Sequence, residues 1–239
     1  MTKASTSGTR RWLLVFGAVL LTSAVWAGAF STVGKPVGPA GTKAVDDPNP
    51  VADLRGYHFV DDICTVTDLT PFVAAGFVAE SVPSGFYRNP APAASVHPAL
   101  DTMRCTIRFR SPGESPARQQ SVTNLRVIVK LYKQSDPAPE FKAGYLADRD
   151  DQLGSLVPVT VYSRIDGLGD EAYQTVTHKV GSTSNTEMQL WIRHGWAVYG
   201  ISWFQELVAN PGEITLAPDS DLLAMLRKVA ESTLPRLNG

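Results

Sequence analysis

The two cysteines of this 239-residue chain, Cys64 and Cys105, offer two chemistries, a disulfide or half of a metal site. No histidine lies at ligand spacing from either, which leaves the metal pair the weaker reading. An even count in a chain carrying export signals predicts one disulfide. Closing a loop of about 40 residues would add about 4 kcal/mol in the chain-entropy account.

The carboxylates and imidazoles carry less. Asp170 and Glu171 could form an acid/base pair, but as neighbours running into a strand they would point to opposite faces, so a turn and cap role is expected. Asp148, Asp150 and Asp151 lack the ordered oxygen spacing and turn glycine of a calcium loop, and they read as a solvated helix end. His58 and His97 fall in loop-like sequence and His178 in a strand, each an ordinary residue rather than a base or ligand. The sequence contains no His-Glu-x-x-His, Gly-x-Ser-x-Gly, Ser-x-x-Lys or phosphate-loop pattern. No catalytic residue, metal ligand or cofactor is therefore assigned. Arg104, Arg108 and Arg110 share one face of a strand and could meet an anionic ligand, with a solvated sheet face as the plainer alternative.

The segment 186–204 carries the best candidate surface. A two-residue turn at His194-Gly195 would pair Arg193 with Trp196 and sort the hairpin into two faces. Met188, Leu190, Ile192, Tyr199, Ile201 and Trp203 form the core face. Trp191, Arg193 and Trp196 then meet on the face that should be polar, and these are residue types enriched at binding hot spots. Gly200 on that face leaves room for close approach. The competing expectation is a second small core, with a helix or loop over the tryptophans.

These groups depend on where the chain places them. Trp12 to Phe30 is an apolar run of about 19 residues behind Lys3, Arg10 and Arg11, long enough as a helix to span roughly 28 Å. The basic flank predicts a cytoplasmic N-terminus and an outward C-terminal domain. Residues 1–30 are thus a signal-anchor, or a signal peptide cleaved near Ala27-Gly28-Ala29. Arg10-Arg11 leaves both the general and the twin-arginine export routes open. Residues 31–50 are rich in Pro and Gly and read as a linker, with a root-mean-square span near 25 Å as flexible coil. Residues 51–239 suit one domain. A net charge of −1 argues against nucleic acid as a partner.

Within that domain, Thr67 or Asp68 should cap a short helix ending at Gly76, and 82–98 reads as a long surface loop. Met103, Cys105, Ile107 and Phe109 alternate along one strand, and Leu125, Val127, Val129 and Leu131 along its antiparallel partner. A helix over 137–153 follows, capped by Ser135 or Asp136, with Phe141, Tyr145 and Leu146 on one side. Strands are expected over 157–165 and 173–180, then a turn at 181–185 and the hairpin. Asp219 or Ser220 should cap a last amphipathic helix ending near Pro235. The order predicts an α+β fold, an antiparallel sheet covered by helices.

Ile63-Cys64 before a short helix, Met103-Arg104-Cys105 in a strand and Gly167-Leu168-Gly169-Asp170-Glu171-Ala172 before a strand resemble one family. It is the uncharacterised secreted, lipoprotein or membrane-anchored domain common in actinobacteria, similar in outline to the extracytoplasmic sensor domains of their serine/threonine kinases. The likeness runs from about Asp61 to Leu234. The chain departs from it in having no lipobox cysteine and in placing Thr106-Ile107 where an aromatic would follow the second cysteine. The resemblance implies an envelope address and a fold, and no general activity. The expected function is a non-catalytic, membrane-tethered module that binds an unknown envelope ligand or protein. A secreted or anchored hydrolase and a structural accessory of an envelope complex are the alternatives.

Overall fold

The computed structural model describes residues 51–80, 88–115, 121–153, 159–178, 185–207 and 216–238. The expected signal or anchor segment, the linker and most of the 181–185 turn lie outside the described residues. Among the described residues no helix is long and apolar enough to cross a membrane.

The domain is α+β. Eight antiparallel strands form one sheet: β1 (Val78–Ala79), β2 (Ala91–Ser95), β3 (Leu100–Arg110), β4 (Ser121–Tyr132), β5 (Val159–Arg164), β6 (Glu171–His178), β7 (Asn185–His194) and β8 (Ala197–Leu207). They lie in the order β1-β3-β4-β8-β7-β6-β5, and β2 shares the outer edge of β3 with β1. The helices are α1 (Ile63–Val66), α2 (Thr70–Ala74), α3 (Ala138–Leu153) and α4 (Asp219–Thr233), followed by a 3-10 turn, Leu234–Leu237.

Period-2 alternation decides which face of the sheet is dry. Met103 pairs with Val129, Cys105 with Val127 and Ile107 with Leu125, and all six are buried. Tyr199, Ile201 and Trp203 continue the same face across β8, and Met188, Leu190 and Ile192 across β7. The helices α1, α2 and α4 cover it. In α4 the buried Leu222, Met225, Leu226, Val229 and Ala230 recur at helical spacing. Trp203 sits in an aromatic cluster, stacked on Phe72 of α2 at 4.5 Å between centroids and edge-on to Phe77 at 5.0 Å.

Polar locks close the margins. The buried Glu114 carboxylate accepts from the backbone N–H groups of Ser111 (3.0 Å) and Ser121 (2.8 Å), tying the end of β3 to the start of β4. Lys133 pairs with the buried Asp101 at 2.6 Å. The Cys64–Cys105 disulfide joins α1 to the middle of β3 across 41 residues.

Several boundaries differ from the sequence reading. The segment 82–98 contains β2, an exposed edge strand whose Ala-Pro-Ala-Ala-Ser sequence has no apolar alternation to reveal it. Asn89 prepares that edge: it accepts from Arg108 N–H at 2.8 Å and donates to the Arg108 carbonyl, as a strand residue would. The N-cap of the early helix is Leu69, with no side-chain cap, rather than Thr67 or Asp68; the Asp68 carboxylate, one residue earlier, accepts from Thr70 N–H (3.1 Å), and Gly76 follows the helix at φ +87°. An additional turn of helix, α1, precedes it, started by the Asp62 carboxylate on Cys64 N–H at 2.9 Å. The last helix is not capped by Asp219 or Ser220. Pro218 holds the N-cap position, where its hydrocarbon ring can make no side-chain cap, and the Asp219 carboxylate is turned to His178 of β6 at 2.8 Å.

Replacing both Cys64 and Cys105 by serine should lower unfolding free energy by up to about 4 kcal/mol. Urea denaturation of the oxidised chain against the double variant measures it. Alkylation of the denatured, unreduced chain should label neither cysteine.

Candidate functional site

The second face of the sheet carries the sequence-proposed surface, and the tip of the β7–β8 hairpin determines its register. The turn is Gly195-Trp196, not His194-Gly195: His194 pairs with Ala197 and Arg193 with Val198. Gly195 has φ +58° and Trp196 has no positive φ, which suits a turn with glycine first. Two outside contacts hold it there. The Asp170 carboxylate accepts from Gly195 N–H at 2.7 Å, and the Asp53 carbonyl accepts from Trp196 N–H at 2.7 Å. A side chain at Gly195 would come within 2.2 Å of that carbonyl. Moving the turn by one residue changes every partner but keeps the parity of the pairing, so the two faces sort as the alternation predicted.

The motif Gly167-Leu168-Gly169-Asp170-Glu171 is part of this clamp. Leu168 is buried in the main core, and Asp170 N–H donates to the Arg193 carbonyl at 2.8 Å. A Cβ at Gly169 would meet that carbonyl at 2.5 Å, so the loop has to lie flat on the hairpin. Asp170 and Glu171 do not diverge as expected. Asp170 belongs to the bend before β6, and both carboxylates reach the Arg193 guanidinium, at 3.4 and 3.3 Å. The Arg193 side chain is only 12% exposed and also donates to the Gly195 carbonyl. It is therefore built into the clamp, while Tyr57 and His194 share a 2.8 Å hydrogen bond beside it.

Trp191 has a different setting. Its strand partner is Gly200, and its ring occupies the space a side chain there would need, with Cζ3 at 2.4 Å from the position of an added Cβ. The room left by Gly200 is thus filled by the hairpin's own indole. Trp191 Nε1 donates to Gln189 at 2.9 Å. Trp191 and Trp196 are half-buried against a second, smaller cluster containing Tyr132, Phe141, Tyr173 and Val198. Phe141 and Tyr145 of α3 bring that helix onto this end of the face, at 5.3 and 5.1 Å from the Tyr173 ring. Leu146, expected on the same side, is exposed.

A cleft of about 170 Å³ remains open between α3 and the sheet, lined by Trp191, Tyr132, Tyr173, Phe141, Lys130 and Glu140 among others. The Tyr132 hydroxyl donates to Glu140 at 3.0 Å. Burial and that carboxylate push the Tyr132 phenol up to about 12, so at neutral pH it is a neutral donor. Farther along the face Arg104 and Arg126 are exposed, and Arg108 is half-buried beside Glu80 at 3.9 Å. The structure thus brings Trp191 and Trp196 to one cluster and leaves Arg104 and Arg108 farther along the same face. Tyr132, Lys130 and Glu140 were not singled out from sequence, and Phe141 was read only as one side of the helix; strand alternation along β4 is the signal that could have placed Lys130 and Tyr132 on this face.

One arrangement resembles hydrolase chemistry. Thr186 Oγ1 lies 3.1 Å from His178 Nδ1, and His178 Nε2 lies 2.8 Å from Asp219. Thr186 is buried, and neither the cleft beside α3 nor the groove between α2 and α4 reaches it. These contacts anchor the start of α4 on the sheet. Among the described residues no group of three or more His, Cys, Asp or Glu could hold a metal ion.

No protein-family model matches the chain, and neither a curated protein nor a solved structure does.

The Gly195 N–H, assisted by Arg55, His194 and Arg193, holds the Asp170 carboxyl below its ordinary range against the opposing effect of burial. A lowered folded value means stabilisation that is whole above the ordinary carboxylate pKa of about 3.9 and is lost as pH falls through the folded value. Asp170→Asn should therefore cost about 1–2 kcal/mol at neutral pH in urea denaturation, with the gap closing below about pH 4. Gly200→Ala should displace the Trp191 ring, shift tryptophan emission and cost about 1–3 kcal/mol in the same assay.

Proposed function

We propose that the chain is a membrane-tethered, extracytoplasmic and non-catalytic binding module of the cell envelope, and that its ligand seat is the cleft between α3 and the sheet. The observation that carries this reading is the setting of Trp191. The indole is half-buried on Gly200, fixed by Gln189, and borders an open space rather than a closed core. Pre-positioned aromatic surface with few polar groups is what small-ligand sites present. Lys130 and Glu140 are the ionic groups lining it, one donor and one acceptor. The address rests on residues 1–30 and on the disulfide, which persists in oxidising compartments.

The test uses the full chain in its own membranes, with a photo-crosslinking residue in place of Gly144. That position lines the cleft and has open space where a side chain would begin. A second chain carries the same residue at the exposed Arg227 of α4. The expected result is membrane-bound protein whose domain is cut by protease added outside, with an adduct formed from position 144 and not from 227. A soluble cytosolic full-length species as the main form would defeat the address. Identical adduct patterns from both positions would defeat the seat.

A further inference from the structure

We infer that this seat takes an acidic saccharide, with the sugar ring against Trp191 and its acid group held by Arg104, Arg126 and Lys130. The inference rests on the cleft being a binding site and adds the class of ligand.

The register supplies the geometry. One row across the second face reads Arg104, Ile128, Gly200, Trp191, Tyr173. Because the Trp191 ring lies over Gly200, it reaches the strand adjoining Ile128, one strand spacing of about 4.8 Å away. Arg126 and Lys130 flank Ile128 on β4, about 13 Å apart along the strand. Arg104 sits diagonally between them on β3, about 7–8 Å from each at the backbone. Lys130 lines the cleft itself, while Arg104 and Arg126 stand on the adjoining part of the same face, with side chains long enough to reach a ligand at its edge.

Among the described residues neither Arg104 nor Arg126 has a cross-strand carboxylate, and Lys130 has only Glu140 across the cleft. The cross-strand partners on the two sides are Ala93 and Ile128 for Arg104, Thr106 and Ser202 for Arg126, and Thr102 and Val198 for Lys130. Every one is neutral. Arg108, by contrast, has Glu80, and Arg193 has Asp170 and Glu171. Like charges so close repel, and an anionic group would convert that repulsion into charge-assisted hydrogen bonds. Arg104 also borders a notch of about 140 Å³ against β2, which leaves space at the guanidinium.

The aromatic side of the seat selects a sugar over an acyl chain. Trp191 offers a flat apolar surface, while Glu140 and Tyr132 stand at the wall of the same cleft. A hydrocarbon tail would desolvate the Glu140 carboxylate without replacing its hydrogen bonds, whereas ring hydroxyls donate to it. The cleft of about 170 Å³ holds a single ring.

The full chain in neutral detergent is titrated at low salt with glucuronate, glucose 6-phosphate, glucose and glycerol 3-phosphate, following tryptophan fluorescence and calorimetry. At least one of the two acid sugars should saturate and bind about tenfold or more tightly than glucose and glycerol 3-phosphate, with the advantage shrinking as salt is added. Arg104→Ala/Arg126→Ala changes two exposed side chains and should bring the acid sugar down to the affinity of glucose. Trp191→Ala should remove saturable binding, and Trp191→Phe should retain part of it. The inference is overturned if neither acid sugar saturates at millimolar concentration. Equal binding of glycerol 3-phosphate would point to a lipid headgroup or bare anion instead, and indifference to the double arginine variant would also sink it. An adduct at position 144 alongside failed sugar titrations would remove only the ligand class, whereas loss of the position-specific adduct would remove the seat as well.

Discussion

The hydrogen bond from Gly195 N–H to the Asp170 carboxylate fixes the feature on which the second face depends, the position of a two-residue turn. With the turn at Gly195-Trp196, Trp191 faces Gly200 and its indole has somewhere to lie. With the turn one residue earlier, Trp191 would pair with Val198, whose side chain would lift the ring and close the cleft. The same contact restrains Arg193, whose guanidinium joins the loop before β6 to the first residue of that strand. Asp53 completes the clamp from the N-terminal side, so three segments distant in sequence meet on one glycine. Glycine is required there twice over, by its φ and by the close approach of the Asp53 carbonyl.

The two faces of the sheet do different work. The covered face is buried, with aromatic stacking on Trp203 and a disulfide between α1 and β3. Among the described residues the other face is covered by α3 at one end, through Phe141 and Tyr145. Stability can therefore reside in the first face, leaving the second free to hold exposed arginines and a half-buried indole, neither of which a stable core would select.

This division explains what could be read from the sequence. Strands β3, β4, β7 and β8 and the last helix were legible because one side of each must be apolar, and the alternation of Met103 to Phe109 or Leu125 to Leu131 leaves little choice. The disulfide was legible from a count of two. Strand β2 was not, since an edge strand of alanine, proline and serine is held by the backbone of β3 and by Asn89 rather than by burial. The turn register was misplaced by one residue because Gly195 suits either position, and the deciding partners, Asp170 and Asp53, are far away in the chain. Parity rescued the faces, so Trp191 was placed on the correct side for a reason that survives the error. Arg193 could not be told from a surface arginine, because its carboxylates come from the loop before β6. The cleft itself was invisible to periodicity: α3 contributes Glu140, Phe141 and Gly144 to it, but nothing local in that helix says which end of the sheet it covers.

The placement of charge on the second face follows from the same long-range pairing. Arg193 and Arg104 are both strand arginines on that face, yet they differ in what the fold brings to them. The bend before β6 delivers two carboxylates to Arg193 and makes it a fastener. Alanine and isoleucine flank Arg104, and threonine and serine flank Arg126. Aspartate or glutamate at position 106 or 202 would neutralise that row without touching the core, since both positions lie on the open face and are half-buried. Such a substitution would add a cross-strand ion pair at little cost to the fold. The chain instead keeps short hydroxyl residues there, which leave the guanidinium groups clear and can themselves donate to an anion. That choice is the physical link between a sheet built around one glycine contact and a seat suited to a charged ring.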